Sequence, residues 1–301
     1  MGEWFKKNEY FTLSLGKISH HNNDSPESWS IPAWRATKKW RDYQTKENLT
    51  AIDTNNNDGA AKAFEIGEDL IDDYADTKMV NKAIEQLDEL SKKEQPFFMA
   101  LGFLKPHLPF NAPKKYWELY NEKDVELASN RFQPENAPDE SMHKYGELRK
   151  YTNIPTDKNI EIPDSTQKKL IHGYYACVSY IDAEIGKLIK HLKKLNIYEN
   201  SIIVLWGDHG WQLGEHNLWA KHCNYQTSLK VPLLIKYPEQ KKQKRINTVV
   251  ELLDIYPTLC ELSNIEKPKH LQGKSLLNIN SSDTKNLNGY SKYHNGETVT
   301  T

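Results

Sequence analysis

Three short segments of this sequence bring histidine and lysine together: Lys17 and His20 in G-K-I-S-H-H, Lys105 and His107 in K-P-H-L-P, and Asp208, His209 and Lys221 in D-H-G-W-Q-L-G-E-H-N-L-W-A-K. Asp208 offers a hard anionic oxygen and His209 an imidazole nitrogen, two donor types found in divalent-metal sites. Lys221 follows on the same loop, close enough to bring a cation to a bound anion. Taken singly, each segment has a plain structural alternative. An Asp-His after a strand is commonly a turn, and a histidine between prolines a rigid corner. Recurrence points instead to one shared site, where cations hold an anion and an imidazole manages a proton.

Each segment follows a stretch that reads as a strand. Phe11 to Leu15 alternates and delivers Gly16 to His21; Phe97 to Phe103 reads as a buried strand and delivers Lys105 to Phe110. Ile202 to Trp206 reads as a buried strand that stops at Gly207 and hands over Asp208 and His209. Open α/β sheets keep their chemistry beyond the C-terminal ends of such strands. Pro106 and Pro109 restrict the backbone on either side of His107.

The connecting segments complete an α/β pattern. Glu3 to Tyr10 reads as the end of an amphipathic helix. Thr77 is placed to cap a helix with apolar positions Val80, Ala83, Ile84, Leu87 and Leu90. The strongest helix opens at Asp164 or Ser165, with Ile171, Tyr174, Val178, Ile181, Ile185, Leu188 and Leu192 as its core stripe. Val231 to Tyr237 reads as a further strand, and Val249 to Leu262 as an amphipathic helix with Pro257 as a kink or start. Residues 22–59 and 111–163 are polar or rich in Pro and Asn and read as excursions. Trp29, Trp34 and Trp40 in the first of these either anchor the loop or line a binding surface.

The 301 residues carry 40 basic and 41 acidic side chains, so no global field favours nucleic acid or an anionic membrane as a partner. No apolar run approaches a membrane span, and M-G-E-W-F-K-K-N-E-Y has no signal-peptide core. The odd, widely spaced Cys177, Cys223 and Cys260 imply no disulfide framework; Cys223, in the site loop, is either reactive or simply packed.

Five segments in order resemble the sulfatase family of the alkaline-phosphatase superfamily, and within it the iduronate-2-sulfatase group. They are G-K-I-S-H (16–20), D-S-P-E-S-W-S-I-P (24–32), F-F-M-A-L-G-F-L-K-P-H-L-P-F (97–110), D-H-G-W-Q-L-G-E-H-N-L-W-A-K (208–221), and V-P-L-L-I-K-Y-P with V-E-L-L-D-I-Y-P-T-L. The resemblance implies an alkaline-phosphatase-like fold, a central, mostly parallel sheet flanked by helices. It implies removal of sulfate from a sulfated sugar such as an iduronate-2-sulfate, with a divalent metal, usually calcium, and a formylglycine nucleophile. On it, Asp208 and His209 are metal ligands, Lys17 and Lys221 hold the sulfate, His20 sits against the nucleophile, and His107 contacts the sulfate and its leaving oxygen. Complete sulfatases of this type are periplasmic, extracellular or lysosomal.

Two family features have no match. No cysteine begins a C-x-P-x-R motif, and S-I-P-A-W at Ser30 lacks the arginine. The family's paired aspartates near the N-terminus are not matched by Asp72-Asp73, which follow the G-K-I-S-H segment, so no ligand role is carried onto them. The expectation is residues 1–275 as a partial catalytic domain and 276–301 as the start of a truncated C-terminal subdomain, the sheet being incomplete at both termini. The missing N-terminal segment of the same protein is then a partner, and the isolated chain is inactive. Rival readings are a phosphonate or phosphate ester hydrolase, a non-catalytic binder of sulfated glycans, and a zinc module of His209, His216, His222 and Cys223, whose spacing fits no common zinc pattern.

Overall fold

The computed structural model describes residues 1–20, 23–36, 40–54, 60–68, 71–238, 240, 242–277, 279, 288–293 and 296–300. In chain order it runs α1 (Gly2–Lys7), β1 (Phe11–Gly16), α2 (Lys46–Thr54), β2 (Phe64–Gly67), α3 (Ala75–Leu90), β3 (Phe97–Gly102), β4 (Phe110–Pro113), α4 (Lys114–Trp117) and α5 (Asp164–Lys194). Then come β5 (Ile203–Trp206), β6 (Gln212–Leu213), β7 (Trp219–Ala220), α6 (Gln226–Leu229), β8 (Leu233–Lys236), α7 (Ile255–Leu262), β9 (Gly289–Tyr293) and β10 (Gly296–Thr300).

β1 and β3 pair in parallel, with Phe11 opposite Phe97 and Gly16 opposite Gly102, and β2 pairs in parallel with β4. Parallel neighbours need a crossover, and α3 lies within the one that joins β1 to β3. Leu13 and Leu15 of β1 bury themselves against Met79, Val80, Ala83 and Leu87 of α3. At the strand ends the two backbones nearly touch. A Cβ on Gly102 would lie 2.0 Å from the Lys17 carbonyl oxygen, and Gly16 has φ +78°. Only glycine accommodates both demands. The approach lets the Lys17 amide donate to the Gly102 carbonyl at 2.7 Å, so the Lys17 turn and the His107 loop leave the sheet together.

β5 pairs with β8 in antiparallel register, and the loop between them carries Asp208, His209 and Lys221. Expected as buried, β5 instead has Leu205 and Trp206 exposed, since among the described residues it has a hydrogen-bonded strand on one edge only. The strand expected at Val231 to Tyr237 is β8, and Pro257 falls in the first turn of α7, where its missing amide costs nothing.

Several expectations are corrected. α3 begins at Ala75, not at a Thr77 cap, and the Asp42 carboxylate, from a distant segment, accepts the Ala75 amide at 2.7 Å. Thr77 lies inside the helix, its amide donating to the Tyr180 hydroxyl at 3.0 Å and its own hydroxyl 2.8 Å from the same oxygen. At the start of α5 neither Asp164 nor Ser165 caps; Pro163 precedes the first turn. The buried face of α5 runs through Leu170, Ala176, Cys177, Tyr180, Glu184 and Leu188, and leaves Val178 of the expected stripe exposed. Tyr180 and Glu184, outside the expected stripe, each go inside with a partner: Tyr180 with Thr77, Glu184 with Lys187 at 2.7 Å.

The two excursions are part of the body. The first contains α2, and Glu65 of β2 holds the segment before that helix by accepting from Gln44, Thr45 and Asn48. Residues 111–163 supply Trp117, Tyr145, Leu148, Tyr151, Ile154 and Ile162 to the largest apolar cluster, which also takes in α5, Trp211 and Trp219. Arg149 explains how a segment without periodicity stays ordered: its guanidinium donates to the carbonyls of Pro155, Asp157 and Ile160 and to the Tyr145 hydroxyl. Cys177, Cys223 and Cys260 are all buried free thiols. Among the described residues no helix is long and apolar enough to cross a membrane.

Tyr180 is fully buried, so Tyr180→Phe leaves the Thr77 amide and hydroxyl without a partner in a place water does not reach. The expected loss of stability is about 1–3 kcal/mol, measured by urea unfolding. A neutral result would show that the hydroxyl is dispensable for starting α3.

Candidate functional site

His107 is the most constrained of the side chains singled out from the sequence. The Asp76 carboxylate, fully buried, accepts the amides of Leu104 at 2.8 Å and Lys105 at 3.1 Å, and the buried Lys105 ammonium donates to the Pro109 carbonyl at 2.8 Å. These bonds hold the loop on which His107 stands. Its Nδ1–H donates to the Leu108 carbonyl at 2.8 Å, which turns Nε2 outward. The rings of Trp40 and Trp211 meet the imidazole edge to face, with centroids 5.3 and 5.2 Å away.

His107 Nε2 lies 2.7 Å from Lys221 Nζ and 3.1 Å from Glu147 Oε1. Lys221 Nζ donates to both Glu147 carboxylate oxygens, at 3.0 Å each, and stands 5.0 Å above the Trp211 ring. Desolvation lowers the pKa of the Lys221 ammonium, an effect opposed by the Glu147 charge; Lys17 adds like-charge repulsion and Asp208 a smaller attraction. Lys17, Asp208, Lys221 and Glu147 thus share one electrostatic neighbourhood. Burial also lowers the His107 pKa, which favours the neutral imidazole with Nε2 as acceptor for Lys221. For Glu147, burial works upward, but the neighbouring His107 ring and the charge of Lys221 outweigh it and hold the carboxyl well below the usual range.

The Lys17–His20 turn is tied from below. Asp24, in D-S-P-E-S-W, accepts from the Ser19 hydroxyl at 2.6 Å and from Arg35 through Nε at 2.8 Å and a terminal nitrogen at 2.7 Å. Desolvation pushes the Asp24 pKa up, and the Arg35 and Ser19 bonds more than reverse it. Lys17 is half-buried and His20 is exposed three residues later. Of the three tryptophans, Trp29 is buried and stacks over Phe98 as a loop anchor, Trp34 packs beside β1, and Trp40 faces His107.

Asp208 and His209 follow β5 as expected. His209 Nδ1–H donates to the Gly210 carbonyl at 2.9 Å, which leaves Nε2 as a free-lone-pair donor 3.8 Å from Asp208 Oδ1. That separation suits two ligands of one cation, and a carbonyl-bound imidazole is the usual state of a ligating histidine. The pair fits a divalent metal as part of a ligand set. Among the described residues no group of three or more His, Cys, Asp or Glu side chains is placed to hold a metal, so the His209, His216, His222 and Cys223 grouping is not assembled. Cys223 is packed rather than presented, between Gln212 and Ser228. Asp72 and Asp73 are exposed on a 3-10 turn before α3.

Comparison with known proteins gives this arrangement its context, since the profile of the sulfatase family matches residues 1–265. The chain belongs to the sulfatase family. It is 28% identical over 302 residues to iduronate 2-sulfatase of Mus musculus, an alignment covering 88% of this chain and 54% of that protein. This sulfatase-family chain therefore spans about half the length of the curated relative. Among solved structures, one with D-glucosamine-2-N,6-O-disulfate bound as its substrate superposes with a TM-score of 0.67 at 18% identity, covering 97% of this chain and 67% of that one. A phosphonate monoester hydrolase of Silicibacter pomeroyi gives a TM-score of 0.66 at 19% identity, with 91% of this chain and 59% of that one covered. The fold is thus the α/β, alkaline-phosphatase-like fold expected from the sequence.

Asp24→Asn removes the negative charge, and one of the two acceptor oxygens, that hold the Arg35 guanidinium and the Ser19 turn. The expected cost at neutral pH is about 1–3 kcal/mol. Because the folded-state pKa of Asp24 is depressed, its contribution is present above the unfolded value of 3.8 and lost as pH falls through the folded one. The gap between wild type and variant in chemical denaturation should therefore narrow below about pH 4; a gap independent of pH would remove the charge from the explanation.

Proposed function

We propose that this protein binds and, as part of a complete sulfatase, hydrolyses sulfate esters of a sulfated sugar, with an iduronate-2-sulfate type of unit as the substrate class. The observation that carries the reading is the meeting of Lys221 and His107 at 2.7 Å, beside Lys17, at the ends of strands of one α/β body. A sulfate ester departs by S–O cleavage, and cations near its non-bridging oxygens lower the barrier by taking up charge. Lys17 and Lys221 serve that purpose. His107, held by its Nδ1–H bond to Leu108, keeps Nε2 aimed at the same point, where, once protonated, it can donate that proton to the leaving sugar oxygen. On the family reading, His20, three residues after Lys17, would sit against the nucleophile.

Asp208 and His209 would contribute to holding a divalent metal, calcium on the family reading, which would supply further positive charge where the sulfate sits. These residues contain no C-x-P-x-R motif from which a formylglycine nucleophile could be made. The chain by itself is therefore expected to bind sulfated sugar with little or no turnover. The phosphonate ester hydrolase reading draws on the shared fold, and the same two cations suit a phosphonate.

The test is calorimetric titration of the purified chain with a 2-O-sulfated uronate disaccharide, its desulfated form, and a phosphonate monoester, alongside an assay for free sulfate. Binding of the sulfated sugar alone, weakened about tenfold or more by Lys221→Ala, is the expected result. Equal binding of the desulfated sugar would sink the reading. Preference for the phosphonate would transfer it to the alternative, and sulfate release by this chain would overturn its inactivity.

A further inference from the structure

Glu147 takes no part in the proposed chemistry, and no local pattern marks it out. A sulfatase site collects cations for an anion, and a carboxylate in their midst opposes that purpose. Yet Glu147 takes up the ammonium that would hold sulfate: it accepts two bonds from Lys221 Nζ at 3.0 Å, and Oε1 stands 3.1 Å from His107 Nε2. Its side chain is 19% exposed, so little water competes for these bonds. Two oxygens of a carboxylate held by the Lys221 ammonium reproduce what two oxygens of a sulfate would present to the same donor.

We propose that Glu147 is a built-in counter-anion of the Lys221–His107 pair, a carboxylate that fills the anion seat when no substrate is bound and that an incoming sulfate group must displace. The inference rests on the reading of Lys221 and His107 as sulfate-binding groups. Two anions cannot share these donors, because like charges at such separations repel strongly in a partly dry site. Binding is therefore an exchange of one anion for another, weaker than the donors alone would give. Without the carboxylate, the partly buried Lys221 ammonium would face Lys17 uncompensated, and the unliganded protein would bear their repulsion.

The backbone around Glu147 is fixed. Tyr145 and Leu148 are buried, and Arg149 is tied to three carbonyls and a hydroxyl. Displacement is thus a swing of the Glu147 side chain, not an opening of the segment. His222 Nδ1 lies 3.8 Å from Oε2 and offers the carboxylate a neighbour on the side away from His107. A brace that merely held Lys221 in place would share these contacts, but it predicts the opposite effect on binding.

The experiment is titration of the folded chain with inorganic sulfate, at fixed ionic strength in chloride, for wild type, Glu147→Gln, Glu147→Asp, and each of these with Lys221→Ala. Gln keeps the shape without the charge, and Asp withdraws the carboxylate by one methylene if Gln fails to fold. The expected result is sulfate binding tightened about tenfold or more in the Glu147 variants and abolished by Lys221→Ala in every background. Unchanged or weaker binding in the Glu147 variants, with Lys221→Ala still abolishing it in wild type, would overturn the counter-anion and leave the anion seat standing. No sulfate binding by any of the proteins would remove the seat itself, and the counter-anion with it.

Discussion

The close approach of two backbones at the ends of β1 and β3 is the constraint on which the site depends. Side chains at Gly16 or Gly102 would collide with the opposite main chain, so the strands can converge there only because neither residue has a Cβ. Convergence places the Lys17 turn against the start of the His107 loop. Everything chemically interesting on the first half of the chain then follows from how those two loops are tied down: Asp24 and Arg35 beneath one, Asp76 and Lys105 beneath the other. In both cases a buried charge is fully engaged by hydrogen bonds, the condition under which such a group orders a loop instead of disrupting it.

The charge balance of the site has the same logic at closer range. Lys221 and His107 sit in a partly dry corner beside Trp40 and Trp211, whose rings both meet the imidazole edge to face. Desolvation works against an ammonium there, and the Glu147 carboxylate offsets it. The resulting triad is locally near neutrality, with Asp208 and Lys17 extending it outward. Loop anchors and site walls are drawn from one set of aromatic residues, so mechanical and chemical roles overlap at Trp211, which packs in the main core and lies under Lys221.

How much of this could be read from residue order differs by element. Lys17, His107, Asp208 and His209 could be picked out because each follows a recognisable strand, and Lys221 because it shares the Asp208 loop; strand ends are where such sheets gather chemistry. Glu147 could not, because nothing local marks it. It stands in a segment with no apolar period, brought inward by Arg149 and by aromatic residues whose partners lie on α5. The face of α5 was misjudged for a related reason: hydrophobicity cannot reveal that Tyr180 and Glu184 will find partners inside. Similarly, Thr77 has the composition of a cap, but Asp42, remote in sequence, already satisfies the helix start. Where a contact is made across long stretches of chain, local pattern is silent about it.

That same remoteness bears on how the molecule comes together. Lys221 is separated from His107 by 114 residues and from Glu147 by 74. None of these contacts can form as a local nucleus, since each waits for a large loop to close and for the sheet and α5 to be in place. Chains dominated by such distant pairings fold slowly, and their last-assembled parts are the first to be lost on partial opening. The Lys221, His107 and Glu147 cluster therefore depends on distant parts of the chain being in place together, and its integrity reports on the whole body rather than on any one segment.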